Sequence, residues 1–108
     1  MDRHERLKQL VKTNPSLIGV QDVMDVQEEV ECRRSNGELY CVPDLVFHLE
    51  DSYVVVEVKS SGEEHCLDKL EQQLRRAYIH FKVVKGILVR TIGVYLDESG
   101  IQIYERCF

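Results

Sequence analysis

The sequence predicts an α/β (α+β) fold, a β-sheet with helices packed against it, on three observations. A long helical stripe of apolar residues occupies the middle of the chain, a valine-rich segment of strand length precedes it, and turn-forming pairs punctuate further strand-length runs. With 108 residues the chain fits one compact domain, residues 1–108, and leaves no room for a second core. An apolar content of 44% and a charged content of 31% exclude both a disordered chain and a membrane-embedded one. The longest apolar runs, such as Val54-Val55-Val56, are far short of a bilayer span. Met1-Asp2-Arg3-His4-Glu5 is too polar for a signal peptide, so a cytoplasmic protein is expected.

The first helix is expected from about Asp2 to Lys12, where Leu7, Leu10 and Val11 recur at helical spacing until Asn14-Pro15 stops the pattern. Between Val20 and Arg33, Val23, Val26 and Val30 support a strand only loosely. Asn36-Gly37 is a hairpin signal, and a two-residue turn there would set Cys32 opposite Cys41. That pair leaves a disulfide geometrically open, whereas a reducing cytosol favours two small buried thiols. No CxxC or zinc-finger spacing links the four cysteines. Leu39 to Leu49 reads as a strand in which Pro43 marks an edge, a bulge or a strand end.

Glu50-Asp51-Ser52 is a turn, Tyr53 to Lys59 a strand, and Ser60-Ser61-Gly62 its break. From about Glu64 to Phe81 the residues Leu67, Leu70, Leu74, Ala77, Tyr78 and Phe81 form one helical stripe. Gly86 to Ile92 is another apolar strand. Val94 to Leu96 and Ile101 to Tyr104 flank the turn Asp97-Glu98-Ser99-Gly100 as a closing hairpin.

The chemistry lies where two of these strands meet. Strand alternation puts Glu57 and Lys59 on one face and Val56 and Val58 on the other. A two-residue turn at Asp51-Ser52 would pair Glu50 with Tyr53, hence Asp44 with Lys59 and Val46 with Glu57. Asp44, Glu57 and Lys59 then converge on one side, whereas a three-residue loop without a bulge would break that parity. Two carboxylates can bind Mg²⁺ or Mn²⁺ through hard oxygen ligands and leave positions for water and phosphate. The backbone carbonyl of Val58 is a natural further ligand, and a lysine beside them can orient water or offset developing charge.

Pro43-Asp44, a hydrophobic strand, then Glu57-Val58-Lys59 resembles the signature of the PD-(D/E)xK nuclease superfamily. The resemblance spans most of the chain, from the first helix to about Ile92. It implies a restriction-endonuclease-like αβββαβ core, a mixed central sheet flanked by helices. Within that superfamily the chain is most similar to the RecB-like domain of archaeal-type endonucleases, in which an opening helix carries a glutamate before Asn-Pro. Glu5 ahead of Asn14-Pro15 fits that position, with Glu29 as the rival for an extra carboxylate. The family's QxxxY motif is matched imperfectly. Gln73 has a plausible place, but Tyr78 comes one residue too late.

The resemblance implies a metal-dependent endonuclease that hydrolyses DNA, with Asp44 and Glu57 as metal ligands, Lys59 as the catalytic lysine, and Glu5 and Gln73 in support. It also implies a role in repair, recombination or defence. A domain this small would need a homodimer or a larger protein partner for specificity. The rival expectation is a non-catalytic nucleic-acid-binding or assembly module that keeps the fold. The net charge of −5 does not favour a simple electrostatic DNA binder. Lys69, Arg75, Arg76, Lys82 and Lys85 could still line a phosphate-contacting face, or be ordinary solvated helix charges. His4, His48, His65 and His80 show no metal-ligand spacing, although His48 shares the alternation of Asp44. Ser60 and Ser61 either contact phosphate or merely end their strand.

Overall fold

The computed structural model describes every residue, Met1–Phe108. Helix α1 (Arg3–Thr13) begins where the Asp2 carboxylate accepts a hydrogen bond from the Glu5 amide at 2.7 Å. It ends at Asn14, and Pro15 opens a single 3₁₀ turn to Ile18. Leu7 and Val11 are buried under the sheet, but Leu10 points to solvent and the buried neighbour is instead Lys8. The expected apolar stripe is therefore narrower than the spacing alone suggests.

Five strands form one sheet in the order β1-β4-β5-β6-β7. These are β1 (Asp25–Glu28), β4 (Leu45–His48), β5 (Tyr53–Lys59), β6 (Val89–Asp97) and β7 (Gly100–Tyr104). A separate two-stranded hairpin, β2 (Cys32–Arg33) and β3 (Leu39–Cys41), is inserted between β1 and β4. The loosely expected strand over residues 20–33 is thus two short strands in different sheets. The run Leu39–Leu49 is likewise divided, because buried Pro43 lies in the break between β3 and β4.

All pairings in the sheet are antiparallel except β5 with β6, which run parallel and are joined by helix α2 (Glu64–Tyr78). The last apolar positions of the expected 64–81 helix are wound differently. Ile79–Val84 opens into a π-helical turn, with the Lys85 amide donating to the His80 carbonyl at 3.1 Å. The segment expected as a strand from Gly86 to Ile92, and the first arm of the closing hairpin, prove to be one continuous nine-residue strand, β6.

β5 is central, and residues Val54 to Val58 are all buried. Its alternation divides the core in two. Val54, Val56 and Val58 pack with Leu7 and Val11 of α1, while Val55 faces Ala77 and Phe81 beneath α2. Gly93 permits the closest approach on the α2 side, since a β-carbon there would lie 2.6 Å from Leu70 Cδ2. Gly93 pairs with Glu57, so Leu70 settles onto the sheet beside that carboxylate.

The turn at Asn36-Gly37 is a three-residue loop. The Gly37 amide donates to the Arg34 carbonyl, the Arg34 amide donates to the Glu38 carbonyl, and only Gly37 (φ 90°) is left-handed. A register irregularity next to Cys32 absorbs the extra residue, so Cys32 still faces Cys41. Both cysteines are free thiols. No helix is long and apolar enough to cross a membrane.

Candidate functional site

The β4–β5 connection is four residues long, with His48 opposite Tyr53 and Leu45 opposite Val56. The expected pairing of Asp44 with Lys59 is displaced by two positions, which sets Asp44 beside Glu57. Because the displacement is even, the face is unchanged: Asp44, Val46, Val55, Glu57 and Lys59 share one side of the sheet. The shared face is kept although the register differs.

Asp44 and Glu57 are held together by the backbone. The Asp44 amide donates to Glu57 Oε1 at 3.3 Å, and the Val58 amide donates to Asp44 Oδ2 at 2.7 Å. A strand residue presents its N–H and C=O to the same side. The Val58 carbonyl therefore opens toward the Asp44 carboxylate. The Asp44 backbone is tied to a strained residue just after β1: Glu29, at φ 50°, donates its amide to the Asp44 carbonyl at 3.0 Å. A left-handed non-glycine residue costs about 1–2 kcal/mol, so this position is enforced by its surroundings.

Glu57 is only 2% exposed. Burial, and then the neighbouring Asp44 charge, push its carboxyl up to about 9, while the charge of Lys59 pulls in the opposite direction without prevailing. Neither Glu57 nor Lys59 has an ion-pair partner. The His4 imidazole of α1 lies beside Asp44, with its Nε2 3.4 Å from Oδ2. The result is a pair of adjacent carboxylates, one of them buried and held toward its protonated form by burial and by its neighbour.

Such a donor set suits a hard divalent cation. Asp44, Glu57 and the Val58 carbonyl supply oxygens, and the remaining positions would fall to water and phosphate, as Mg²⁺ prefers. No cluster of three or more His, Cys, Asp or Glu side chains exists that could enclose a metal by itself. The fit is to an open, partly hydrated ion.

The supporting residues separate. Glu5 faces Lys8, whose Nζ lies 3.1 Å from Glu5 Oε2, 3.6 Å from Glu28 and 3.2 Å from Glu29. Both candidates for an extra carboxylate are thus engaged by one buried lysine. Gln73 lies on α2 with its Oε1 enclosed and without a hydrogen-bond donor, an anomaly for a buried acceptor. Tyr78 stacks against Phe108 instead. His48 hydrogen-bonds Gln27 at 2.8 Å at the far end of β4 from Asp44. Ser61 Oγ accepts from the Glu63 amide just before α2. His4 and Lys8 were not legible in the sequence, because their roles depend on how α1 crosses the ends of β1 and β4.

No known protein family and no curated protein matches the sequence. Among solved structures, the chain resembles the small subunit (R.BspD6I2) of the heterodimeric restriction endonuclease R.BspD6I. The TM-score is 0.55 and the identity 16%, over 82% of this chain and 47% of that subunit. The fold is restriction-endonuclease-like. The chain spans about half the length of that subunit. A second structure, SSO0001, aligns over 94% of this chain and 46% of its own at 21% identity, but its TM-score of 0.47 adds no weight.

Proposed function

We propose that the chain is a metal-dependent endonuclease domain hydrolysing DNA phosphodiester bonds. The observation that carries this reading is the pairing of buried Glu57 with half-buried Asp44, with no lysine or arginine within ion-pairing distance of either, on the same strand face as the unpaired Lys59 of a restriction-endonuclease-like sheet. A fold-stabilising role would favour neutralising such a pair, because adjacent uncompensated carboxylates cost stability.

Asp44, Glu57 and the Val58 carbonyl would hold Mg²⁺ or Mn²⁺, which when bound polarises the scissile phosphoryl group and acidifies water. The Val58 amide fixes the Asp44 carboxylate, and burial under Leu70 and Gly93 keeps Glu57 from swinging away. Lys59, on the same face, would orient the attacking water and offset the charge gathering on phosphate. His4 would steer Asp44. Gln73, with its orphan oxygen, and Glu5 are supporting candidates, Glu5 acting through Lys8.

DNA is the proposed substrate, and repair, recombination or defence the proposed setting. The neighbouring protein is one subunit of a heterodimer. A domain of this size offers little surface for reading sequence, which supports the proposal that this chain too works with a second subunit or a second copy.

The test is cleavage of duplex, single-stranded, flap and four-way-junction DNA with Mg²⁺, Mn²⁺ or EDTA, with Lys59→Ala alongside. Metal-dependent cutting that disappears in Lys59→Ala is the expected result. Cutting that persists in Lys59→Ala would contradict the assignment. No cutting of any substrate would leave the non-catalytic module as the better reading.

A further inference from the structure

The acidic chain carries its positive charge unevenly. Residues 31–41 and 69–85 hold seven of the fourteen lysines and arginines but only three of the nineteen acidic residues. These segments are the inserted β2–β3 hairpin and the α2 helix with its π-helical extension, which pack against one another. At their junction Tyr40 of β3 carries two guanidinium groups on its ring. Arg34 Cζ lies 4.9 Å from the ring centroid and Arg76 Cζ 5.8 Å from it.

Neither arginine has a carboxylate within ion-pairing distance, whereas Arg33, Arg75, Arg90 and Arg106 each have one. Stacking on an aromatic face fixes a guanidinium without using its N–H donors. The two side chains are thus held in place with their donors unspent, in a chain where nineteen acids compete for fourteen cations. Arg33, Arg34 and Tyr40 also border a shallow cavity of about 270 Å³ with His80.

We infer that the Arg34–Tyr40–Arg76 stack binds the phosphodiester backbone of a nucleic acid and leads it to the Asp44–Glu57 pair. Planar guanidiniums match phosphate oxygens bidentately. Asp44 lies only four positions beyond Tyr40, a reach of at most about 14 Å. A strand advances about 3.4 Å per nucleotide, so one backbone can touch both places within a few nucleotides. That continuity favours nucleic acid over an acidic protein as the occupant. The inference rests on the nuclease reading for its direction, but it is tested by binding alone.

The experiment measures the polarisation of labelled duplex and flap DNA titrated with the full chain in EDTA at several salt concentrations. Arg34→Ala, Arg76→Ala and their double variant are compared with wild type, and Arg90→Ala serves as a control. Polyglutamate serves as the acidic-protein probe, and circular dichroism with melting curves checks folding. Each single change is expected to weaken DNA binding about tenfold and to lower the slope of log K against log salt by about one. Arg90→Ala should do neither.

A folded double variant that binds DNA with unchanged affinity and salt slope overturns the inference, even if cleavage is intact. Wild-type binding of polyglutamate but not DNA overturns it in favour of an acidic protein. DNA binding that is lost in the double variant, in a chain that cuts nothing, supports this surface while removing the nuclease reading.

Discussion

Two charged clusters sit at neighbouring ends of the same sheet and are built oppositely. At the α1–β1 corner a lysine that is 3% exposed is surrounded by Glu5, Glu28 and Glu29. Burial alone would pull the Lys8 ammonium down, but hydrogen bonds to Glu5 and Glu29 outweigh it and raise its pKa. At the β4–β5 corner the buried group is a carboxylate, and its closest charged neighbour is another carboxylate. The first cluster is complete as it stands. The second has no lysine or arginine within ion-pairing distance, and it is there that we propose the metal and the chemistry.

The largest expected effect sharpens this contrast. Glu57→Gln keeps the acceptor for the Asp44 amide but removes a metal-binding charge. It should lower metal-dependent cleavage by about 10³-fold or more, equivalent to roughly 4 kcal/mol, without lowering the melting temperature. A variant that cuts at the wild-type rate would remove Glu57 from the site.

Lys8→Met should do the reverse. It leaves Glu5 and Glu29 without their cation, while Glu28 keeps Lys12 at 2.8 Å, and should destabilise the fold by about 2–3 kcal/mol in denaturant unfolding. A loss below about 0.5 kcal/mol would show that the cluster is not structural.

Acidity separates the clusters a third way. The Glu57 carboxyl is raised from 4.5 to about 9 on folding. The native state therefore holds this proton more tightly than the unfolded chain does. Its stabilising contribution is full below about pH 4.5 and is lost as pH rises toward about 9. In EDTA, melting curves of wild type and Glu57→Gln should nearly coincide near pH 5. The variant should melt several degrees higher near pH 8.5, since about 1 kcal/mol moves a domain of this size by roughly 4–8 °C. A gap of the opposite sign would contradict the assignment.

The smallest effect concerns the strained step between the clusters. Glu29→Gly should change stability by less than about 0.5 kcal/mol, because relief of the left-handed backbone offsets a lost, mostly exposed contact to Lys8. Glu29→Val should cost about 1–2 kcal/mol, as a branched β-carbon resists that conformation. Urea unfolding of the two variants side by side reads the difference.

The sequence made the order of elements legible wherever period and punctuation agreed: α1 before Asn14-Pro15, β5 as a valine run, α2 as a stripe, β7 after its turn. It obscured the divided strand around Pro43, because Leu39–Leu49 reads continuously although its halves pair in different sheets. The face shared by Asp44 and Glu57 was legible because strand periodicity is two. Their register was not, because it depends on a four-residue loop whose length no single turn residue fixes. The Arg34–Tyr40–Arg76 stack was invisible in sequence, since it joins a hairpin to a helix more than thirty residues away.

The most direct test of the central claim is calorimetric titration of the DNA-free protein with Mn²⁺ at pH 7.5, in two buffers of different ionisation enthalpy, beside Glu57→Gln. Wild type should bind one ion and release about one proton, because binding requires the Glu57 carboxylate, and Glu57→Gln should do neither. Binding of Mn²⁺ by Glu57→Gln as tightly as by wild type, or no binding by wild type, would contradict that claim.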